Sequence, residues 1–181
     1  MWVGKMQPVF LFPTAMEAAP LRALRPDLDV RICGVGVVET ARYVARMLCE
    51  ERPEQVLLCG IAGAYSEWEV GAVVQVTTER VAGLPAQYAA EYQASLRIDG
   101  VAEAVSNTVA SVGTAADGAT VENMEGAAVF ALCEEFGVCC AEIRAISNRV
   151  GAPRDEWRID LALDNLTETI LAILDIETEE I

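Results

Sequence analysis

The 181-residue chain contains no histidine. That absence excludes Ser–His and Cys–His nucleophilic catalysis and every histidine-ligated metal site. Acid–base chemistry near neutral pH is left to carboxylates or to a perturbed thiol. Basic residues are also scarce: 13 lysines and arginines stand against 28 aspartates and glutamates, a net charge of −15. Long-range repulsion then argues against a nucleic-acid backbone or an anionic membrane as partner. Part of the acidity reads as solvated surface, at Glu50, Glu51 and the stretch 177–180. The six cysteines have no CxxC spacing and fall mostly inside apolar runs. They read as small core residues in a reducing cytosol, so neither a disulfide framework nor a metal is expected, and no cofactor. The apolar run at 8–13 is bounded by prolines and followed by Glu17, too short for a signal peptide or a membrane span. A cytoplasmic protein is expected. No repeat, linker or low-complexity segment divides the chain, so residues 1–181 are read as one domain.

Hydrophobic residues make up 53% of the chain, enough for a sheet buried on both faces. Short apolar runs at 9–12, 29–33, 55–60, 71–78 and 138–146 predict strands, those at 55–60 and 138–146 without the alternation of a half-exposed sheet. Between them, 14–24, 37–50, 122–136 and 157–176 carry helical spacing. Thr14 and Glu17 have the spacing of a capping box, Gly137 is a natural C-cap, and Leu161, Leu166, Ile170 and Ile173 are expected to face the core. Residues 61–64 read as a small-residue turn after the third strand. The region 79–119 is the least legible, with short strands expected near 91–97 and 102–109. Strands alternating with helices predict a single three-layer α/β/α domain around a mixed, mostly parallel central sheet.

Ligands of such sheets gather beyond the carboxyl ends of the strands. Five features would be drawn there: residues 14–17, 34–36, 60–64, 147–148 and the pair Met124 and Glu125. The run GVGVVE (34–39) is a partial dinucleotide fingerprint lacking its third glycine, and a tight strand-to-helix turn is the simpler reading. Glu17 has two readings, a helix cap or a catalytic carboxylate. Glu125, read on a helical stripe with Ala128, Val129, Leu132 and Phe136, has few protein partners in view, and a desolvated carboxylate needs one. Either the fold satisfies it or a polar ligand does. Asn148, after an apolar strand, is a ligand contact or a turn residue.

Taken together, ENMEGAA (122–128), RAISN (144–148) and GIAG (60–63) resemble the nucleoside phosphorylase/nucleosidase superfamily. Within it, TAMEAAPL (14–21), GIAGAY (60–65), Trp157 and ALDNL (162–166) look like the group that hydrolyses futalosine. Only 86–118 is unmatched in detail, and there the chain is shorter than many members of the group. The resemblance implies a nucleoside phosphorylase-like fold and cleavage of a purine N-glycosidic bond. It implies that Glu125 accepts the ribose 2′- and 3′-hydroxyls with Met124 beneath the sugar, and that Asn123, Ile61, Ala62 and Gly63 line the same pocket. Glu17 would be the base that deprotonates the attacking water. Asn148 would donate to N7 or O6 of a 6-oxopurine such as hypoxanthine; an amide has no proton to give a 6-aminopurine. Ile61, where phosphorolytic relatives usually carry a hydroxyl, favours water over phosphate. A phosphorylase, or a nucleoside-binding protein that has lost the reaction, remains open at this point. Partners implied are a small nucleoside and further copies of the chain, as a dimer or larger.

Overall fold

The computed structural model describes residues 8–65 and 67–179, with side chains through 175. The acidic side chains of 177–180 lie outside the described residues. Eight strands and four helices follow in the order β1 (Val9–Phe12), α1 (Ala15–Leu24), β2 (Val30–Ile32), α2 (Val37–Glu50), β3 (Gln55–Ala64), β4 (Val73–Val81), β5 (Glu91–Gln93), β6 (Ala102–Thr108), β7 (Val121–Asn123), α3 (Gly126–Phe136), β8 (Cys139–Arg149) and α4 (Ile159–Glu179).

The absence of alternation in β1 and β3 has a direct cause. Val9 and Leu11 of β1, with Val56 and Leu58 of β3, pack with α2 and α3 through Val44, Leu48, Val129 and Phe130. Their neighbours Phe10, Phe12, Leu57 and Cys59 point the other way, onto Leu21 of α1 and Leu163, Leu166 and Ile170 of α4. Both faces are covered, so both sets are apolar; each such fully buried aliphatic side chain contributes roughly 1.5–3 kcal/mol.

Helices therefore do lie on two faces, and the sheet is mixed. It is not an open layer throughout. β3 pairs with β8 in parallel and with β7 antiparallel, β7 with β6 in parallel, β6 with β4 in parallel, and β4 with β8 antiparallel. These five strands close into a barrel-like ring, while β1 and β2 extend from β3, and β5 from β4. This corrects the expectation of a plain three-layer sandwich.

Several boundaries move for the same reason. Residues 61–64, expected as a turn, continue β3, because Gly63 and Ala64 pair with Glu122 and Val121. That pairing also takes 122 and 123 out of the expected helix, which starts at Gly126 instead of 122. Gly137 ends it in the left-handed conformation, φ 66°. On α4, Leu161 is exposed; Ala162 and Leu163 take the inward positions. Four cysteines are buried, but Cys49 and Cys139 are exposed, and all six are free thiols. Glu50 and Glu51 are exposed as expected. Among the described residues no helix is long and apolar enough to cross a membrane, and no cluster of ligating side chains could hold a metal.

Candidate active site

A cavity of about 240 Å³ opens at the carboxyl ends of β1, β3, β7 and β8. All eight residues singled out in the sequence line it: Glu17, Ile61, Ala62, Gly63, Asn123, Met124, Glu125 and Asn148.

Glu17 stands in the first turn of α1. The Thr14 hydroxyl caps that helix by accepting from the Glu17 N–H at 3.2 Å. The Glu17 carboxylate is not spent on the cap. Oε1 accepts from the Ile61 N–H (3.1 Å) and Oε2 from the Thr14 hydroxyl (2.6 Å). The cap and the pocket are both served by one residue, which is buried beside the cavity. The only hydrogen-bond donor that Ile61 could offer a ligand is thereby already engaged.

Glu125 is not on a helical stripe. It is the residue just before α3, with φ −127° and ψ −32°, and the side-chain oxygen of Asn123 caps the helix by accepting from the N–H groups of Glu125 and Gly126 (both 2.8 Å). Nor does Glu125 lack protein partners. Its Oε1 accepts from the Gly36 N–H at 3.0 Å, and its Oε2 faces the Arg144 guanidinium at 3.3 Å. The glycine turn at 34–36, with φ of 91° and 84° at its two glycines, thus serves to bring a backbone amide to Glu125.

Arg144, in the RAISN run, is a residue of the site that sequence reasoning missed. It is 1% exposed and central. Nε donates to Glu142 (2.7 Å), Nη2 to Asn123 (3.1 Å) and Glu125, and Nη1 to the Ile61 carbonyl (3.3 Å). Nearby carboxylates outweigh burial and hold its pKa above the usual arginine value. Gly60 makes room for this: a Cβ there would fall 2.5 Å from Arg144 Nη1 and 3.0 Å from Glu17 Oε1. The signal in the sequence was a Glu-x-Arg pair, Glu142 and Arg144, inside an otherwise apolar central strand.

Asn148 lies within β8, which continues to Arg149. The register of β8 against β3 slips between Ala62 and Gly63, so that Ala62 pairs with Ile146 and Gly63 with Asn148. This bulge skips Ser147 and turns both Ser147 and Asn148 to the cavity. The Ser147 hydroxyl donates to Asn148 Oδ1 (2.8 Å) and Asn148 Nδ2 donates to the Arg149 carbonyl (2.9 Å), which fixes the amide's orientation. Asn123 differs from the other lining residues, since its side-chain amide also donates to Glu79, Ser106 and Glu142 and is consumed inside the protein.

The poorly legible middle of the chain supplies a wall. Glu122 accepts from the N–H groups of Gly113 (2.7 Å) and Thr114 (3.2 Å) and from the Tyr65 hydroxyl (3.1 Å), pinning a loop that brings Val112 to the cavity. Burial raises Tyr65 to about 12, so it stays a donor to Glu122. The opposite rim carries Trp157, with the Arg154 guanidinium 4.2 Å above its ring. Among the described residues Arg154 is the one cation that lines the cavity.

The fold that gathers these carboxylates and the amide at the strand ends is one that known proteins share. The family pattern of the phosphorylase superfamily matches residues 102–176. Futalosine hydrolase of Thermus thermophilus is 30% identical over 177 aligned positions covering 78% of each chain. The chain belongs to this superfamily and is related to futalosine hydrolase. Two solved structures share the fold at lower identity. One is a 5′-methylthioadenosine/S-adenosylhomocysteine nucleosidase of Helicobacter pylori with butyl-thio-DADMe-Immucillin-A (TM-score 0.82, 16% identity, 95% of this chain and 99% of that one). The other is a futalosine hydrolase mutant of Helicobacter pylori (TM-score 0.77, 15% identity, 94% and 99%).

Proposed function

We propose that the protein hydrolyses futalosine at its N-glycosidic bond, releasing hypoxanthine, and so serves the alternative route of menaquinone biosynthesis. The observation that carries this reading is the gathering of Glu17, Glu125 and Asn148 around one cavity whose lining has three carboxylates, Glu17, Glu122 and Glu125, and a single rim cation. Glu125, steadied by Gly36 and Arg144, accepts the ribose 2′- and 3′-hydroxyls, and half-buried Met124 packs under the sugar. A water bonds to the anomeric carbon as its proton passes to Glu17, while the electrons of the breaking C–N bond go to the purine. An N–H of Asn148 directed to N7 or O6 stabilises that departing charge.

Water is favoured over phosphate because no arginine lines the cavity other than Arg154 at the rim; Arg144 is occupied by Glu142, Glu125 and Asn123. The six free thiols suit a cytoplasmic enzyme. Exposed Val35 (49%), which lines the cavity, and Val38 (76%) on the following helix support a homo-oligomer, which light scattering would detect. The deciding experiment incubates the protein with futalosine, with and without phosphate, and follows hypoxanthine by chromatography. Release without phosphate is expected. Intact futalosine, with inosine cleaved only when phosphate is present, would establish a phosphorylase instead; no cleavage of either would leave a nucleoside-binding protein.

A further inference from the structure

Beneath the cavity floor lies a group of side chains that the hydrolysis does not touch. Glu79 of β4 and Glu142 of β8 are both 0% exposed. They meet at Gly126, the first residue of α3, where a Cβ would fall 2.2 Å from Glu79 Oε1 and 2.6 Å from Glu142 Oε2. Only glycine leaves space for both carboxyl groups there. Their hydrogen bonding is unequal. Glu79 accepts from the Thr108 hydroxyl through Oε2 (2.6 Å) and from the Asn123 amide through Oε1. Glu142 Oε1 accepts from Arg144 Nε (2.7 Å) and Asn123 Nδ2 (3.2 Å). Glu142 Oε2, fully buried, has no hydrogen-bond partner. An unpartnered buried oxygen is costly, and two adjacent buried carboxylates cannot both keep their charge. One proton on Glu142 Oε2 removes both difficulties, by turning the orphan acceptor into a donor toward Glu79.

We propose that Glu142 is a neutral carboxylic acid in the working protein, hydrogen-bonded to an ionised Glu79, and that it acts as a positioning residue that leaves the charge of Arg144 to Glu125. The surrounding groups agree. Burial, then the charge of Glu79, push the Glu142 carboxyl well up, with Arg144 pulling the other way. Burial also raises Glu79, but the donors Thr108, Asn123 and Ser106 favour its charged form, so the proton belongs on Glu142. The other titratable groups facing this cluster are Glu125 at the start of α3, Glu17 of α1 and the buried thiol of Cys59 on β3, itself pushed up by burial. Strands β6 and β7 contribute only the neutral Ser106, Thr108 and Asn123.

A neutral Glu142 offers Arg144 only a carbonyl-type acceptor, and the guanidinium is left to Glu125. Loss of the proton in alkaline solution would set a full charge beside Arg144 and loosen its hold on Glu125, raising KM for the nucleoside. This last consequence rests on the ribose-binding role of Glu125; the protonation state does not.

Infrared spectroscopy of the whole protein in mildly alkaline buffer tests the proton directly. A carbonyl stretch of a neutral carboxylic acid, shifting in D₂O, is expected in the wild type and should vanish in Glu142→Gln. Its absence from the wild type, or its persistence in the variant, overturns the proposal, and neither outcome depends on any substrate. Kinetics test the positioning role: the alkaline rise in KM should flatten in Glu142→Gln, which has no proton to lose. An unchanged rise would refute that role even with the band assigned. A protein that shows the band yet cleaves no nucleoside would instead count against the functional reading alone.

Discussion

Replacing Gly60 by alanine adds one methyl group at the point where the site is most tightly assembled. Gly60 lies within β3 at an ordinary negative φ, so the change brings no backbone strain of its own and acts through space alone. The new Cβ would stand 2.5 Å from Arg144 Nη1, 3.0 Å from Glu17 Oε1 and 3.3 Å from Pro13 Cδ. The first is far inside ordinary van der Waals separation, and the second is tight by a few tenths of an ångström. Neither neighbour is a free end. Arg144 is tied to Glu142, Glu125, Asn123 and the Ile61 carbonyl, and Glu17 to Thr14 and Ile61. Relief must come from shifting one of these networks, at about 1–3 kcal/mol for an overpacked core position. If Arg144 yields, Glu125 loses its cation and KM rises; if Glu17 yields, the base is misplaced and kcat falls. Urea unfolding together with steady-state kinetics would read both. Wild-type stability with wild-type kcat and KM would refute the geometry, because it would mean that Glu17 and Arg144 do not converge on Gly60.

Glu17→Gln keeps the shape but removes the base, and should lower kcat by about 10²–10⁴-fold while thermal unfolding stays close to wild type; an unaltered rate would make Glu17 a helix cap only. Asn148→Asp should shift the ratio of 6-oxopurine to 6-aminopurine nucleoside cleavage toward the aminopurine, by about tenfold if one hydrogen bond of about 1.4 kcal/mol is exchanged, measured as hypoxanthine against adenine released. Glu142→Gln should also change how stability depends on pH. The folded protein holds the Glu142 proton more tightly than the unfolded chain, whose carboxyl titrates near 4.5. Below that value the stabilisation by the raised group is fully present, and it is lost as pH climbs toward the folded value. Wild-type stability relative to Glu142→Gln should therefore fall by about 1.4 kcal/mol per pH unit across that window. Parallel stability curves from denaturant titrations at several pH values would contradict this.

The parts of the fold that were legible are those decided locally. β1, β3, β8 and α2 announce themselves through unalternating apolar runs and helical spacing, and α2 spans Val37–Glu50 as its periodicity predicts. Closure of the ring was not legible, because it depends on long-range pairing of unpromising segments. β6 is half polar, with Glu103, Ser106 and Asn107 in a seven-residue strand, and β7 is three residues from a motif that looks helical. The site shows the same division. Residue types alone left Glu17, Glu125 and Asn148 open, and the family resemblance singled them out; all three line one cavity, but Glu125 sits at a helix start, not on a helical stripe, and is satisfied by Gly36 and Arg144. Arg144, Glu142 and Glu79 come from strands far apart in sequence, and only the closed sheet brings them to one place.

That closure also explains why so acidic a chain suits this reaction. Five glutamates, Glu17, Glu79, Glu122, Glu125 and Glu142, are buried among the described residues, and the buried cation among them is Arg144. Three of the five line the cavity, whereas Arg144 does not line it and is tied to Glu142, Asn123 and Glu125. A ribosyl centre that gains positive charge as its C–N bond breaks is stabilised by such surroundings, already in place before the reaction begins. A phosphate dianion is repelled by the same arrangement, whose single lining cation, Arg154, is held at the rim over Trp157. Water, which carries no charge, meets no such barrier on its way to Glu17. The proposed preference for hydrolysis therefore rests less on any one residue than on a cavity lined by three carboxylates with its one buried cation, Arg144, outside the lining.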